Sequence, residues 1–176
     1  DLAGFFAHRN HWVYTDIQTR KHLIDFQRLA PYLPPEQLQP LFDNALSYAN
    51  KSLDFHPALA DLFFVKAQLY FIASGIVLPE GNQKAAEILE KTLEIDPYFL
   101  DARIGYAEYL TRRGERDKAL KVLSDGLDFW MKYHPSFMRY LHITAELKLQ
   151  TGDSEGYREI MEEIEYQKKV RERRLR

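Results

Sequence analysis

The sequence predicts an all-α fold of stacked helix pairs, and three observations carry that prediction. The strings Asp-Phe-His-Pro (54–57), Ile-Asp-Pro-Tyr (95–98) and Tyr-His-Pro-Ser (133–136) set Pro57, Pro97 and Pro135 at steps of 40 and 38 residues. Ala67, Ala107 and Ala145 follow at the same two steps, and Gly114 and Gly152 are again 38 apart. No segment of useful length alternates apolar and polar residues, so the strands of an α/β fold are missing. A repeat of this length signals a solenoid of helix pairs, whose usual output is a binding surface.

The elements read as follows. Phe5, Phe6, Trp12 and Tyr14 make the first stretch aromatic, and Thr15-Asp16 offers a helix start. Ile17, Leu23, Ile24, Phe26, Leu29 and Ala30 follow at helical spacing until Pro31 to Pro35 stops the run. Pro35 suits the first turn of the next helix, where its missing N–H is not needed. Leu38, Leu41, Phe42, Ala45, Leu46, Ala49 and Leu53 form its stripe. Pro40 belongs in the first turns or brings a kink, since in an interior it costs ~3 kcal/mol.

From Pro57 the pattern sharpens. Leu59, Leu62, Phe63, Ala67, Tyr70 and Phe71 make one helix ending near Gly75; a loop over 76–82 leads to Ala85, Ala86, Leu89, Leu93 and Ile95. A third pair runs from Leu100 through Ile104, Ala107 and Leu110 to Gly114, then Ala119, Leu120, Leu123 and Leu127. A fourth holds Met138, Leu141, Ala145 and Leu149, then Gly152, Tyr157, Ile160, Met161 and Ile164. The count is eight helices. The segmentation is an irregular N-terminal pair over 1–56, pairs over 57–96, 97–134 and 135–166, and a basic tail or helix extension over 167–176.

The periodic residues have physical reasons. Two helix backbones approach closely only where a side chain is small, which assigns Ala67, Ala107 and Ala145 to first helices and Ala45, Ala85 and Ala119 to second helices. Tyr70, Leu89, Leu110 and Leu123 fill the gaps between them. Gly114 and Gly152 fall where a first helix ends on a left-handed residue. The prolines end each second helix and restart the chain.

On these residues the chain resembles the tetratricopeptide repeat (TPR) family. Tyr106-Ala107 falls on the family's large-then-small pair, and Gly114, Ala119 and Leu123 on its turn glycine, small and large positions. Leu93-Glu-Ile-Asp-Pro97 is similar to the family's closing Leu-x-x-Asp-Pro. The resemblance covers about 45–165, with one good repeat and two or three degenerate ones. It implies a right-handed α-solenoid of about four helix pairs. Departures are about six extra residues in Phe71–Lys84 and about four in 128–134. Thr92, Gly126 and Tyr157 stand where alanine is usual.

The resemblance also implies a concave binding face lined by first helices. Carried over residue by residue, that face holds Phe64, Gln68 and Phe71, then Asp101, Ile104, Glu108 and Arg112, then Arg139, His142 and Glu146. It has an aromatic end and a charged end, suited to an extended peptide or a partner helix. Phe64 and Phe71 are its apolar anchors if exposed, and core residues if the N-terminal segment folds over them. A subclass of the family grips acidic chaperone tails with Lys and Asn. Ile104 and Glu108, or Phe64 and Gln68, stand there instead, which disfavours that role. The expected partner is therefore a protein or peptide, and the expected role a scaffold rather than a catalyst.

Composition sets the remaining bounds. Of 176 residues, 45% are hydrophobic and 28% charged, enough for a sizeable core. A net charge of −2 provides no global field toward nucleic acid or an anionic membrane. Cysteine is absent, so disulfides and thiolate metal sites are excluded. The apolar runs at 69–73 and 75–78 are far shorter than the ~20 residues of a membrane helix. His8 and His11 lie three apart, but nothing nearby completes a metal-ligand set, and no cofactor is expected. His56 and His134 precede turn prolines and read as structural. Glu159, Glu162, Glu163 and Glu165, with Arg158, Lys168 and Lys169, read as a solvated helix face with a Glu165→Lys169 pair. Nucleophile-elbow, Walker and dinucleotide patterns are missing. Lys168, Lys169, Arg171, Arg173, Arg174 and Arg176 make a basic end that Glu172 interrupts, which argues against phosphate binding. The sequence starts at Asp1 rather than Met, and the expectation is a segment of something longer. TPR segments of this loose kind also resemble soluble domains appended to bacterial membrane proteins of the O-antigen ligase and polymerase group, and that resemblance implies an alternative role as the accessory soluble domain of an envelope glycan-assembly protein.

Overall fold

The computed structural model describes residues 2–125 and 132–174, with backbone alone for 2–12 and for Arg174. Among the described residues there are eight helices, and the only strand-like feature is a single bridge between Ser74 and Leu78. The chain divides into two compact units, Asp1–Asp96 and Pro97–Arg176. The 126–131 stretch, with Gly126, Leu127 and most of the 128–134 insertion, lies outside the described residues, as do the side chains of Phe5, Phe6, His8, His11 and Trp12.

The first unit holds α1 (Leu2–Leu29), α2 (Pro35–Phe55), α3 (Ala60–Ala73) and α4 (Gly81–Ile95). α1 pairs with α2 and α3 with α4, while α3 also packs on α2 and α1. Its core gathers Phe26, Leu38, Phe42, Ala45, Leu69 and Ala73. The Phe42 ring lies 5.9 Å from Phe26 and meets Tyr70 edge-on at 5.7 Å, the tilted geometry aromatic quadrupoles favour.

Two expectations for this unit are corrected. Helix α1 passes through Thr15-Asp16 rather than starting there. Thr15 is buried, and its carbonyl accepts the Thr19 hydroxyl at 2.8 Å, which lies 3.3 Å from the Ser52 hydroxyl on α2. A helix-start residue type is tolerated inside a helix when the hydroxyl bonds back one turn. Ile17 and Ile24, placed by spacing on the buried stripe, are 55% and 61% exposed. Pro40 lies six residues into α2 and exposed, and the helix runs through it.

The second unit holds α5 (Leu100–Arg112), α6 (Arg116–Ser124), α7 (Phe137–Gln150) and α8 (Ser154–Arg174). α5 pairs with α6 and α7 with α8; α7 also packs on α6 and α5. Leu100, Ile104, Leu110, Leu123, Phe137, Tyr140, Leu141, Leu147 and Ile164 fill its core. Leu149, expected in the fourth pair's stripe, is 55% exposed near the end of α7.

The small-residue prediction holds at every position. Ala45, Ala67, Ala85, Ala107, Ala119 and Ala145 are all buried. Gly114 and Gly152 have φ of +80° and +83°. Behind them Glu115 N–H reaches the Leu110 carbonyl and Asp153 N–H the Lys148 carbonyl, both at 2.9 Å, which satisfies carbonyls the helix ends leave open. Thr92 is buried where alanine was expected, and its hydroxyl donates to the Ile88 carbonyl at 2.7 Å, so the extra oxygen costs little. The 167–176 stretch continues α8 as far as Arg174.

Candidate functional site

In the second unit the first helices α5 and α7 lie side by side, and their solvent face holds most of the expected residues. Asp101 and Glu108 are half-buried on α5, and Arg112 is exposed one turn beyond Glu108. On α7, Arg139, His142 and Glu146 are all exposed. Their spacing of three and four residues keeps them on one helix face. Arg139 crosses from α7 to donate to Glu108 on α5 at 2.6 Å, with 58% and 30% of the two side chains open to water. An ion pair so exposed contributes under ~1 kcal/mol to stability. Its structural effect is to fix two opposite charges at a known spot. The row continues toward the end of α7, where Gln150 donates to Glu146 at 3.0 Å and Arg116 of α6 donates to Gln150 at 2.9 Å.

Ile104 is the correction. It is fully buried among Leu100, Ala107, Leu123 and Tyr140 and offers no surface. The family position carried it to the face, but on α5 this turn points into the unit's own core.

In the first unit Phe64, Gln68 and Phe71 are half-buried on α3. The two rings are therefore neither open anchors nor sealed core. Nearby Lys66 donates to Asn50 of α2 at 2.7 Å. Burial, reinforced by the neighbouring Lys91, lowers its pKa, and Asp54 partly opposes this. Lys91 itself lies 4.8 Å over the Phe63 ring.

Sequence reasoning missed two features. Arg103 is a charged residue buried at 5% exposure. Its Nε donates to the Pro97 carbonyl at 2.7 Å, and its terminal nitrogens reach the Pro97 and Val122 carbonyls. Val122 lies in the last turn of α6, where helix carbonyls lack internal partners and positive charge is favoured. Nothing in the string Asp-Ala-Arg-Ile signals this. The second is Gly81, read as an ordinary loop glycine. A Cβ there would lie 2.5 Å from the Tyr70 carbonyl oxygen and 2.8 Å from the Ser74 Cα, so α4 begins in backbone contact with the end of α3.

The acidic run on α8 is solvated as expected, but Glu165 pairs with Lys168 at 2.7 Å rather than with Lys169. That contact, with Lys168 the leading cause, lowers the Glu165 pKa. His134 accepts the Ser136 N–H at 3.2 Å, a turn-stabilising role. Among the described residues no cluster of His, Asp and Glu could hold a metal ion, and no helix is long and apolar enough to cross a membrane.

Paired helices, alanines at their crossings and left-handed glycines at their turns define a helical-repeat protein. Residues 82–129 match the tetratricopeptide repeat family model. Mouse tetratricopeptide repeat protein 21A is 24% identical over 135 residues, covering 76% of this chain. The chain spans about 10% of the length of that curated relative. The crystal structure of MamA aligns with a TM-score of 0.59 at 13% identity, over 86% of this chain and 81% of that one. TTC0263, a thermophilic TPR protein of Thermus thermophilus, aligns at 0.54 and 18% identity, over 88% and 86%. Residues 82–129 are thus similar to a tetratricopeptide repeat, and the solved structures share the fold of the chain. That fold is in general a protein–protein interaction module, and its members are typically scaffolds rather than enzymes.

Proposed function

We propose that the α5–α7 face of the second unit binds an extended peptide or partner helix, making this chain a scaffold or adaptor module. The observation that carries the reading is the Arg139–Glu108 pair bridging the two first helices at 2.6 Å, with Arg112, His142 and Glu146 exposed beside it. Two adjacent helices present both signs of charge on one strip. A segment carrying an acidic and a basic group meets complementary partners there, and a purely acidic tail meets Glu108 and Glu146. Arg112 and Arg139 take the ligand's carboxylates or carbonyls, and Glu108 its cation or backbone N–H. Asp101 and His142 extend the strip at either side. In the first unit the half-open rings of Phe64 and Phe71, with Gln68 between them, supply an apolar contact for the same class of ligand.

The test is selection from a random peptide display library, followed by titration of the recovered peptides. Arg112→Glu and Arg139→Glu each weaken binding about tenfold or more, the scale of one charge-assisted contact, with helical circular dichroism unchanged. Lys121→Glu on α6 leaves binding unchanged. Recovered peptides that bind these variants as well as the wild type overturn the assignment. The envelope-accessory alternative draws on the sequence resemblance alone. A parent gene lacking membrane-spanning segments rejects it.

A further inference from the structure

We infer that Lys66 is a lysine-acylation site, taking an acyl group from a small activated donor of the acyl-phosphate class. The side chain stands on α3, which packs on both α2 and α4. It is half-buried, and its amine donates to Asn50 Oδ1 of α2 at 2.7 Å. An amide oxygen is a neutral acceptor, so this bond orients the amine without balancing a positive charge. From α4, Lys91 lies 4.8 Å over the ring of Phe63, which is three residues before Lys66 and so on the same side of α3. The attraction of the ring keeps Lys91 cationic and holds it there. Lys66 therefore meets an amide and a second ammonium.

Other lysines of the chain are placed differently. Lys84, Lys118, Lys148 and Lys168 each face a carboxylate, at 3.0, 2.5, 2.7 and 2.7 Å. A carboxylate that close favours the ammonium form, which has no lone pair to give. Around Lys66 the balance runs the other way. Burial takes water from the charged form, Lys91 repels it, and Asp54 of α2 opposes them with less weight, so the pKa falls. Lys51 of α2 lies 5.4 Å over the Tyr48 ring, and Arg20 of α1 reaches α3 through Asp61. A half-buried amine beside another cation is the arrangement that makes lysine a nucleophile near neutral pH.

The step is a simple acyl transfer. The lone pair of the neutral amine attacks the acyl carbon and forms a C–N bond. The C–O bond to phosphorus's oxygen breaks, inorganic phosphate leaves with that electron pair, and the extra proton on nitrogen passes to water. Nothing is oxidised or reduced. Lys91, exposed beside the amine, attracts the phosphate end of the donor. The product keeps one N–H for Asn50 and removes one positive charge from the cluster.

The test is treatment of the full chain with acetyl phosphate near neutral pH, with initial rates read at each lysine by mass spectrometry. Lys66 is acetylated ahead of Lys84, Lys118, Lys148 and Lys168. Accessibility alone would favour Lys118 and Lys168, which are exposed. Asn50→Asp sets a carboxylate against the amine and brings Lys66 down to the rate of the paired lysines. Lys91→Met slows Lys66 about two- to threefold, the scale of one like charge a helix turn away in water. Both substitutions are at exposed side chains, so helical circular dichroism and the rates at the four paired lysines stay as in the wild type. A wild-type Lys66 no faster than those four, or an Asn50→Asp variant whose Lys66 reacts at the wild-type rate, overturns the proposal.

Discussion

Replacing Gly81 by alanine tests how tightly the third and fourth helices are locked. Gly81 opens α4, and its φ is not in the left-handed region, so alanine is conformationally allowed there. Its methyl group, however, would lie 2.5 Å from the Tyr70 oxygen and 2.8 and 2.9 Å from Ser74 Cα and Cβ. A relaxed carbon–oxygen contact is about 3.3 Å or more, so α4 must retreat by roughly 0.8 Å or tilt. Overpacking of this kind costs ~1–3 kcal/mol. The helix preference for alanine returns at most ~1 kcal/mol, and less at the first helical position. The expected net loss is ~1–2 kcal/mol, read by urea unfolding, with a fall in Tm of roughly 2–8 °C. Gly156→Ala differs in kind: its Cβ would meet the ends of the Lys148 and Asp153 side chains rather than backbone, and moving Asp153 gives up the bond it accepts from the Gly156 N–H, a loss of ~0.5–2 kcal/mol typical of a helix cap. A Gly81→Ala variant as stable as the wild type refutes the backbone contact between α3 and α4.

Ile104→Ala, at a fully buried site, loses ~2–5 kcal/mol by denaturant unfolding, whereas a face residue would cost almost nothing. Arg103→Ala strands the Pro97 and Val122 carbonyls and costs ~2–4 kcal/mol; Arg103→Lys recovers only part, because a point charge cannot fork to both. Burial raises the Tyr140 pKa above its ordinary 10.0, and the phenol donates to the Leu123 carbonyl at 3.2 Å. The folded state then holds this proton more tightly than the unfolded chain. Its contribution is complete below about pH 10 and is lost as pH rises through the folded pKa. Tyr140→Phe therefore lowers stability at neutral pH by ~1 kcal/mol and shows a shallower loss above pH 10. Asp153 works in the opposite direction. Lys148, and then the Gly156 N–H, hold its pKa down, so its contribution is lost as pH falls through that lowered value. Lys148→Met makes acid unfolding set in with a smaller loss.

What the sequence revealed were requirements that one residue type alone satisfies. Alanine at a helix crossing and glycine at a left-handed turn have few substitutes, so Ala107 and Gly114 announce their places. The missed features lack such uniqueness. Threonine and aspartate start helices but also sit inside them, which hid the true extent of α1. Helical spacing shows that Ile17 and Ile24 share a face without saying that the face is wet. Arg103 is buried by carbonyls from loop and helix ends that only the folded chain brings together. For the site, the polar residues carried over from the family position reach the surface, because charge at these positions costs too much to bury. Apolar ones are ambiguous there: Ile104 turned inward, and Phe64 and Phe71 stopped halfway.

The charge-swapped double variant, Glu108→Arg with Arg139→Glu, gives the most direct test of the binding surface. It rebuilds the 2.6 Å ion pair with its polarity reversed, so stability stays within ~0.5 kcal/mol of the wild type. Peptide selection on the swapped face is expected to recover ligands whose charge order is inverted relative to those of the wild type. Recovery of the same peptides at the same affinity contradicts a ligand site on α5 and α7.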